Sequence, residues 1–145
     1  MDVAVSDFSK AFDKVPHMPL IEKLKFYNLD KHVTGWIQSF LSGRTQRIVV
    51  DGHSSSESPV LSGVPQGTVM GPILFLIFIN DIAANISSNI RLFADDCLVY
   101  REVTSLDDCS ELQKDLNTLS SWSTEWGMSL NVSKCNTMTV TNKTK

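Results

Sequence analysis

Residues 91–100, RLFADDCLVY, place two adjacent aspartates, Asp95 and Asp96, between two short apolar segments. The flanking segments NIRLF and CLVYR have the length and composition of strands, and the space between them allows only a tight turn. An aspartate suits such a turn, because its short side chain can bond to nearby backbone and it accepts unusual φ angles. The stretch therefore predicts a β-hairpin with carboxylates at its tip.

The acidic tip has two interpretations. In the simpler one, Asp95 and Asp96 form a solvated turn. In the other they belong to a ligand site, because the flanking strands are strongly apolar and a second acidic cluster, Asp7 with Asp13, begins at the end of the apolar segment VAVSDF. Strands of one sheet can bring Asp7 beside the acidic pair. Carboxylates without His or Cys nearby are a hard-oxygen ligand set that suits Mg²⁺, and Mg²⁺ held in this way serves phosphoryl transfer.

Composition limits the partners and the compartment. The net charge of −3 and a pI near 5.5 argue against a self-sufficient nucleic-acid binder, which usually carries a basic surface. The three cysteines form no CxxC pair, and no basic-then-apolar signal segment opens the chain. We therefore expect an intracellular protein, in the cytoplasm or nucleus and not secreted, and we interpret the Asn-x-Ser/Thr matches at Asn85, Asn131 and Asn142 as chance. The apolar run PILFLIFI is too short to span a bilayer, so no membrane association is expected.

The remaining elements follow from periodicity and punctuation. VAVSDF predicts a first strand, HMPLIEKLKFYNLD a helix, and residues after Asp30 a second helix that stops at Gly43. TQRIVVDG and SESPVLSG predict two strands joined by a polar loop, with Gly52 in a turn. GPILFLIFINDIAANI (71–86) is apolar nearly all round and predicts a core helix.

The last third of the chain carries the clearest helix. Ser105 can cap it, with Asp108 three residues on, and leucines with Trp122 and Trp126 recur at helical spacing up to Gly127. The tryptophans are interpreted as core residues. KCNTMTVT predicts a final strand. The order of elements predicts an α+β fold, with helices on one face of an antiparallel sheet.

The loop SGVPQGTVMGP (62–72) precedes the apolar helix and is either a plain helix entry or a ligand contact. Gly63 and Gly67 allow the backbone to approach a ligand closely, and Gln66 offers both a donor and an acceptor beside them.

Taken together, the motifs resemble the palm of the reverse transcriptases of non-LTR (LINE-type) retrotransposons. DFSKAFDKVPH resembles the first catalytic motif of that family, SGVPQGTVMGPILFLIFINDI the second, FADD the third, and WSTEWGMSLNVSKC the fourth. GRTQRIVVDG resembles the hairpin that leads to the second motif. The matches occur in the family's order across nearly the whole chain. The resemblance implies a palm whose antiparallel sheet has a ferredoxin-like or RRM-like core.

The resemblance also implies residue roles. Asp7, Asp95 and Asp96 would form a two-metal site for Mg²⁺, with Mn²⁺ as an alternative, and Asp7 and Asp95 would be the direct ligands. Lys134 would be a fourth catalytic residue that reaches the pyrophosphate leaving group. Phe12 would exclude the 2′-hydroxyl of the incoming nucleotide. Further roles are implied for the nucleotide contacts Phe8, Gln66 and Gly67, and for the nucleic-acid contacts Pro65, Arg44 and Arg47.

Residues 1–145 would then be a partial reverse transcriptase domain that runs from the first Asp motif to the Lys motif. The fingers and thumb of the family are expected to be supplied by a longer polyprotein, so this segment is expected to be inactive alone. Its partners would be an RNA template, a DNA primer and dNTPs. Two alternatives stay open: a non-catalytic retroelement-derived remnant or nucleic-acid-associated binding module, and another Mg²⁺ enzyme such as a phosphohydrolase or nucleotidyl cyclase. The second lacks a Walker-type or GxGxxG loop here.

Overall fold

The computed structural model describes residues 1–141, so Asn142 lies outside the described residues. The chain divides into two compact units, which we describe separately. The sheet unit consists of residues 1–11 and the described residues from Ile79 onward. The helical unit is Phe12–Phe78.

The sheet unit is built around an antiparallel sheet of four strands. Strand β1 (Asp2–Asp7) lies between β7 (Asp96–Arg101) and β8 (Asn136–Thr139), and β6 (Asn89–Phe93) forms the other edge. Helix α5 (Leu106–Glu125) packs against β7. The predicted hairpin at 89–101 and the predicted final strand are both present, with the strand shorter than KCNTMTVT.

The register of β1 on β7 separates two faces of the sheet. Directly paired residues of an antiparallel ladder project to the same side. Cys97 and Val99, at 0% exposure, are paired with the buried residues Ser6 and Ala4 and form the core face. Leu98 and the other alternate residues of β7 are only partly covered, so the opposite face is the more open one.

Helix α5 is fixed at its first turn and along its buried stripe. Ser105 and Asp108 form a capping box, as the sequence predicts, and Leu112, Leu119 and Trp122 are buried. Asp115 is buried too. Burial raises the pKa of its carboxyl, but hydrogen bonds from Ser88 and Ser87 outweigh this effect, and the net pKa is lowered. The carboxylate thereby ties the middle of α5 to the segment that leads into β6.

The helical unit contains α2 (His17–Phe26), α3 (Lys31–Leu41), all but the first residue of α1 (Ala11–Lys14), and all but the last residue of α4 (Met70–Ile79). Asp30 caps α3, accepting hydrogen bonds from the N–H groups of His32 and Val33. Its core is formed by fully buried residues of α2, α3 and α4: Leu20, Ile21, Leu24, Ile37, Leu41, Leu74, Phe75 and Phe78. The buried Lys23 ammonium donates to the Phe78 carbonyl at 2.7 Å, which satisfies one of its donors inside this core.

Two predicted elements differ in detail. The hairpin of residues 45–59 is not two continuous strands: β2 (Thr45–Gln46) pairs with β5 (Ser58–Pro59), and β3 (Val49–Val50) pairs with β4 (His53–Ser54) around a turn at Asp51 and Gly52. The predicted helix over 71–86 ends earlier, at Ile79, and a 3₁₀ turn follows over Asn80–Ala83. No helix among residues 1–141 combines the length and apolar character needed to cross a membrane.

The capping box generates a pH-dependent prediction. Asp108 Oδ2 accepts hydrogen bonds from the hydroxyl and N–H groups of Ser105 and Thr104, which lower the pKa of Asp108 from 3.8 to about 2. A pKa lowered on folding means that the stabilisation is complete above pH 3.8 and is lost as the pH falls towards 2. Urea unfolding should therefore show that Asp108→Ala has a lower free energy of unfolding than wild type at neutral pH. This difference should become smaller as the pH falls from 3.8 towards 2. A difference that is independent of pH would show that the carboxylate charge does not stabilise the cap.

Candidate active site

Pairing of β1 with β7 brings two of the predicted carboxylates face to face. Asp7, the last residue of β1, is directly opposite Asp96, the first residue of β7. Both project from the more open face of the sheet, since the adjacent pair, Ser6 with Cys97, belongs to the core face. Like charges directly opposite one another destabilise a ladder, so this pair is unfavourable for folding by itself.

The third carboxylate lies in the turn of the β6–β7 hairpin. Phe93 pairs with Asp96, which leaves Ala94 and Asp95 as the two turn residues. Asp95 is half-buried and Asp96 is exposed. Ala94 has a φ of +52°, a conformation that costs a residue with a Cβ about 1–2 kcal/mol. Strain of this kind is typical of functional sites, where the surroundings enforce it.

A loop from the far end of the chain holds Lys134 over Asp7. The N–H of Asn131 donates to the Asp7 carbonyl at 2.8 Å, and the Asn131 carbonyl accepts from the N–H groups of Lys134 and Cys135. This turn directs the Lys134 ammonium to Asp7 Oδ2, 3.2 Å away. Asn131 belongs to the motif WSTEWGMSLNVSKC, but no role was predicted for it, because its partner is the backbone of a residue more than a hundred positions away.

The Asp7 carboxylate has capacity left for a cation. Asp7 is 8% exposed, and its Oδ1 atom is buried with no hydrogen-bond partner among residues 1–141. An unpartnered buried oxygen is costly unless a ligand satisfies it. Within the same range no group of three or more His, Cys, Asp or Glu side chains is close enough to hold a metal ion. The structure brings Asp7 opposite Asp96 and sets Lys134 on Asp7, with Asp95 in the adjacent turn. The carboxylate oxygens of the three aspartates are of the type that a hard divalent cation prefers.

The core face behind these carboxylates is tightly packed. Burial raises the pKa of the Cys97 thiol to about 12, so Cys97 is an inert packing residue. Phe8 is 1% exposed, with its ring 6.1 Å from that of Trp122, which is itself 9% exposed. The Phe8 side chain therefore belongs to the core, and the nucleotide contact predicted for this residue stays a prediction. Trp122 is a core residue, as predicted.

The helical unit carries the second group of predicted site residues, on the loop at 62–67. The N–H groups of Gly63 and Val64 donate to the carbonyls of Val15 and Phe12, both at 2.8 Å. A Cβ added at Gly63, which has a φ of +91°, would lie 2.8 Å from the Asp13 Cα atom. The sequence predicts that a ligand approaches the backbone at Gly63. In the structure it is the backbone of Phe12 and Asp13, in the chain's own first motif, that lies against this glycine.

Gln66 and Gly67 lie at the exposed end of the same loop. The Gln66 side-chain amide donates to Asp13 Oδ1 at 3.0 Å, so the Asp13 carboxylate holds this loop. Gly67 has a φ of +75° and open space where a Cβ would lie. No role was predicted for His17, but its ring nitrogen Nε2 forms a 2.8 Å hydrogen bond with the Gly63 carbonyl.

The other predicted contacts of this unit differ in accessibility. Phe12 is half-buried and stacks on Phe75, with ring centroids 4.4 Å apart. Pro65 is buried, and the nucleic-acid contact predicted for it stays a prediction. Arg44 is half-buried and Arg47 exposed, on either side of β2.

The architecture is that of a polymerase palm. The chain matches an apo telomerase from Candida tropicalis, truncated from its C-terminal domain, with a TM-score of 0.72 over 94% of this chain and 30% of the other. The sequences are 13% identical, so this likeness concerns the fold alone. It confirms the predicted α+β palm fold.

Sequence comparison gives the family. Residues 3–145 match the family described as reverse transcriptase (RNA-dependent DNA polymerase). The chain is 34% identical to the RNA-directed DNA polymerase from mobile element jockey of Drosophila melanogaster, over 97% of this chain and 16% of that protein. It is 30% identical to the retrovirus-related Pol polyprotein from type-2 retrotransposable element R2DM of the same species, over 99% of this chain and 14% of that protein. The chain therefore belongs to the reverse transcriptase family, and its resemblance to the non-LTR retrotransposon group is confirmed.

Substitutions at the two loop glycines should differ in cost. Gly63→Ala combines an unfavourable φ with a clash against the Asp13 backbone and should lower the free energy of unfolding by about 2–4 kcal/mol. Gly67→Ala meets no neighbour and should cost only the conformational strain, about 1 kcal/mol. Denaturant titration of both variants measures the difference. Equal losses would show that the close approach at Gly63 does not constrain the loop.

Proposed function

We propose that this chain is the catalytic palm segment of an RNA-directed DNA polymerase, which adds dNTPs to the 3′-hydroxyl of a DNA primer along an RNA template. The observation that supports it most directly is the pairing of Asp7 with Asp96 beside the strained turn that holds Asp95. The chain spans about 16% of the jockey polymerase it matches. The activity and the nucleic-acid partners are therefore proposed for a longer protein that includes the fingers and thumb.

Reverse transcriptases generally use divalent metal ions. We propose that Asp7 and Asp95, with support from Asp96, hold two Mg²⁺ ions, for which Mn²⁺ can substitute. When bound, such ions neutralise charge on the reacting phosphate and polarise its oxygens. The unpartnered Asp7 Oδ1 supports this assignment, because a buried carboxylate oxygen needs a cation or a donor.

The chain's own residues would bind, orient and select. Lys134 would place positive charge on the pyrophosphate leaving group, and its long, largely exposed side chain, 63% accessible, can move to reach it. Gln66 and Gly67 would contact the nucleotide or template, which their exposure supports. Arg47 and Arg44 would contact phosphates of the nucleic-acid backbone.

The experiment that tests the function is a segment exchange. Residues 1–145 would replace the matching segment of the Drosophila melanogaster jockey polymerase, and RNA-templated primer extension would be measured. The exchanged protein should extend the primer, and Asp95→Asn should slow it at least about a hundredfold, because several kcal/mol of charge stabilisation are lost with a metal ligand. Asp107→Asn, which changes an exposed aspartate on α5, is the matched control and should leave the rate unchanged.

The outcomes separate the proposed enzyme from a binding module. The isolated chain should not extend a primer, since positioning of primer and template supplies much of the catalysis. A folded exchange protein that binds primer–template without extending it would favour the non-catalytic module. Equal rates for Asp95→Asn and Asp107→Asn would remove Asp95 from the site.

The role of Phe12 in sugar selection has its own test. In the exchange protein, Phe12→Val removes the ring that would block a 2′-hydroxyl and should raise rNTP incorporation relative to dNTP incorporation by roughly tenfold or more. Phe12→Tyr, which retains the ring, is the control and should preserve dNTP selection. Loss of stability with an unchanged rNTP-to-dNTP ratio would assign Phe12 to packing on Phe75 alone.

A further inference from the structure

The Lys134 ammonium binds one oxygen of the Asp7 carboxylate, which the proposed metal ions would also use. Its ammonium lies 3.2 Å from Asp7 Oδ2, although the two residues are 127 positions apart. The Asp7 side chain is 12% exposed and that of Lys134 is 63% exposed. The contact is therefore asymmetric, because an exposed cation pairs with a nearly buried anion.

This cation also offsets a repulsion that the fold cannot avoid. The pairing of β1 with β7 sets the Asp7 and Asp96 carboxylates on the same face of the sheet, and like charges in this position destabilise a ladder. A single ammonium at Asp7 reduces that repulsion without closing the site, because only one of the two Asp7 oxygens is used.

We propose that Lys134 is a placeholder cation: it neutralises Asp7 in the metal-free protein and leaves it when divalent cations bind. The proposal rests on the metal site described under the proposed function. An ammonium and a divalent cation on one carboxylate repel each other, so binding of the metal favours release of the lysine from Asp7. Displacement makes the ammonium available for the pyrophosphate only when metal is present. Lys134 would thus be a positioning residue for Asp7 before it acts on the leaving group.

The backbone around Lys134 suits this exchange. Its N–H is held by the Asn131 carbonyl at 2.9 Å, and Asn131 is in turn anchored on the Asp7 carbonyl. The point of attachment is therefore fixed, while the flexible four-carbon stem leaves the charge free to swing. Lysine suits such a role better than arginine, whose planar guanidinium favours fixed bidentate pairing.

The test is metal affinity, measured on the complete 145-residue chain. Mn²⁺ is titrated in, and free Mn²⁺ is followed by its electron paramagnetic resonance signal. Lys134→Met should bind Mn²⁺ about fivefold more tightly than wild type, which corresponds to the upper range for an exposed ion pair. Lys134→Arg retains the charge and favours a more fixed pairing with Asp7, so it should bind Mn²⁺ no more tightly than wild type. Lys114→Met removes an equal charge from the exposed face of α5 and should also match wild type.

Each outcome has one meaning. Tighter binding by Lys134→Met, with Lys114→Met unchanged, supports the placeholder. Equal affinities for wild type and Lys134→Met overturn it and leave the metal site intact. Equal tightening in both methionine variants also overturns it, because net charge alone would then explain the effect. If neither wild type nor Lys134→Met binds Mn²⁺ above the level of Asp7→Asn, the proposed metal site itself fails in this chain, and the placeholder fails with it.

Discussion

The pairing of β1 with β7 determines the candidate site, because its register decides which residues face each other. Six residue pairs connect the two strands, and Ser6 with Cys97 and Ala4 with Val99 are buried together on the core face. A slip by one residue would move this apolar set to the opposite face, so burial fixes the register firmly. The Asp7–Asp96 pair is at the end of the same ladder. The repulsion between these two carboxylates therefore follows from a register that the buried pairs of the same ladder determine.

Several local features around this pair are unfavourable by themselves. Ala94 has a positive φ, Asp7 Oδ1 is buried without a partner among the described residues, and the two carboxylates face each other. Sequences that specify a fold well avoid such conflicts, and natural proteins retain them mainly at functional sites. The Lys134 ion pair and the Asn131 turn relieve part of the conflict. They do so from the loop before β8, so the same strand order that sets the carboxylates together also brings the compensating charge.

Local signals explain what could be predicted from the sequence. Signals between residues a few positions apart predict the hairpin at 89–101, the helix that follows Asp30, the Ser105 cap and the leucine spacing of α5, and all are present. The partners of Gly63, Lys134 and Asn131 lie tens to more than a hundred positions away, where periodicity carries no information. The burial of Phe8 and Pro65 could not be predicted for a related reason: a motif match identifies a neighbourhood of the site but does not say which side chains are buried. The early end of α4 at Ile79 coincides with the end of the apolar run, and from Asn80 the chain continues in a 3₁₀ turn instead of the predicted helix.

The acidity of the chain is consistent with a nucleic-acid enzyme once charge is considered locally. The net charge of −3 includes the three aspartates of the proposed metal site. Two divalent cations would carry more positive charge than is needed to neutralise the whole chain. Metal loading would therefore reverse the potential at the site where a triphosphate and a primer end are proposed to bind. Displacement of Lys134 would add to this reversal, because its ammonium would no longer be neutralised by Asp7. In this view the acidic palm repels polyanions when it is empty and attracts them when it is loaded, so that substrate binding and metal binding favour each other.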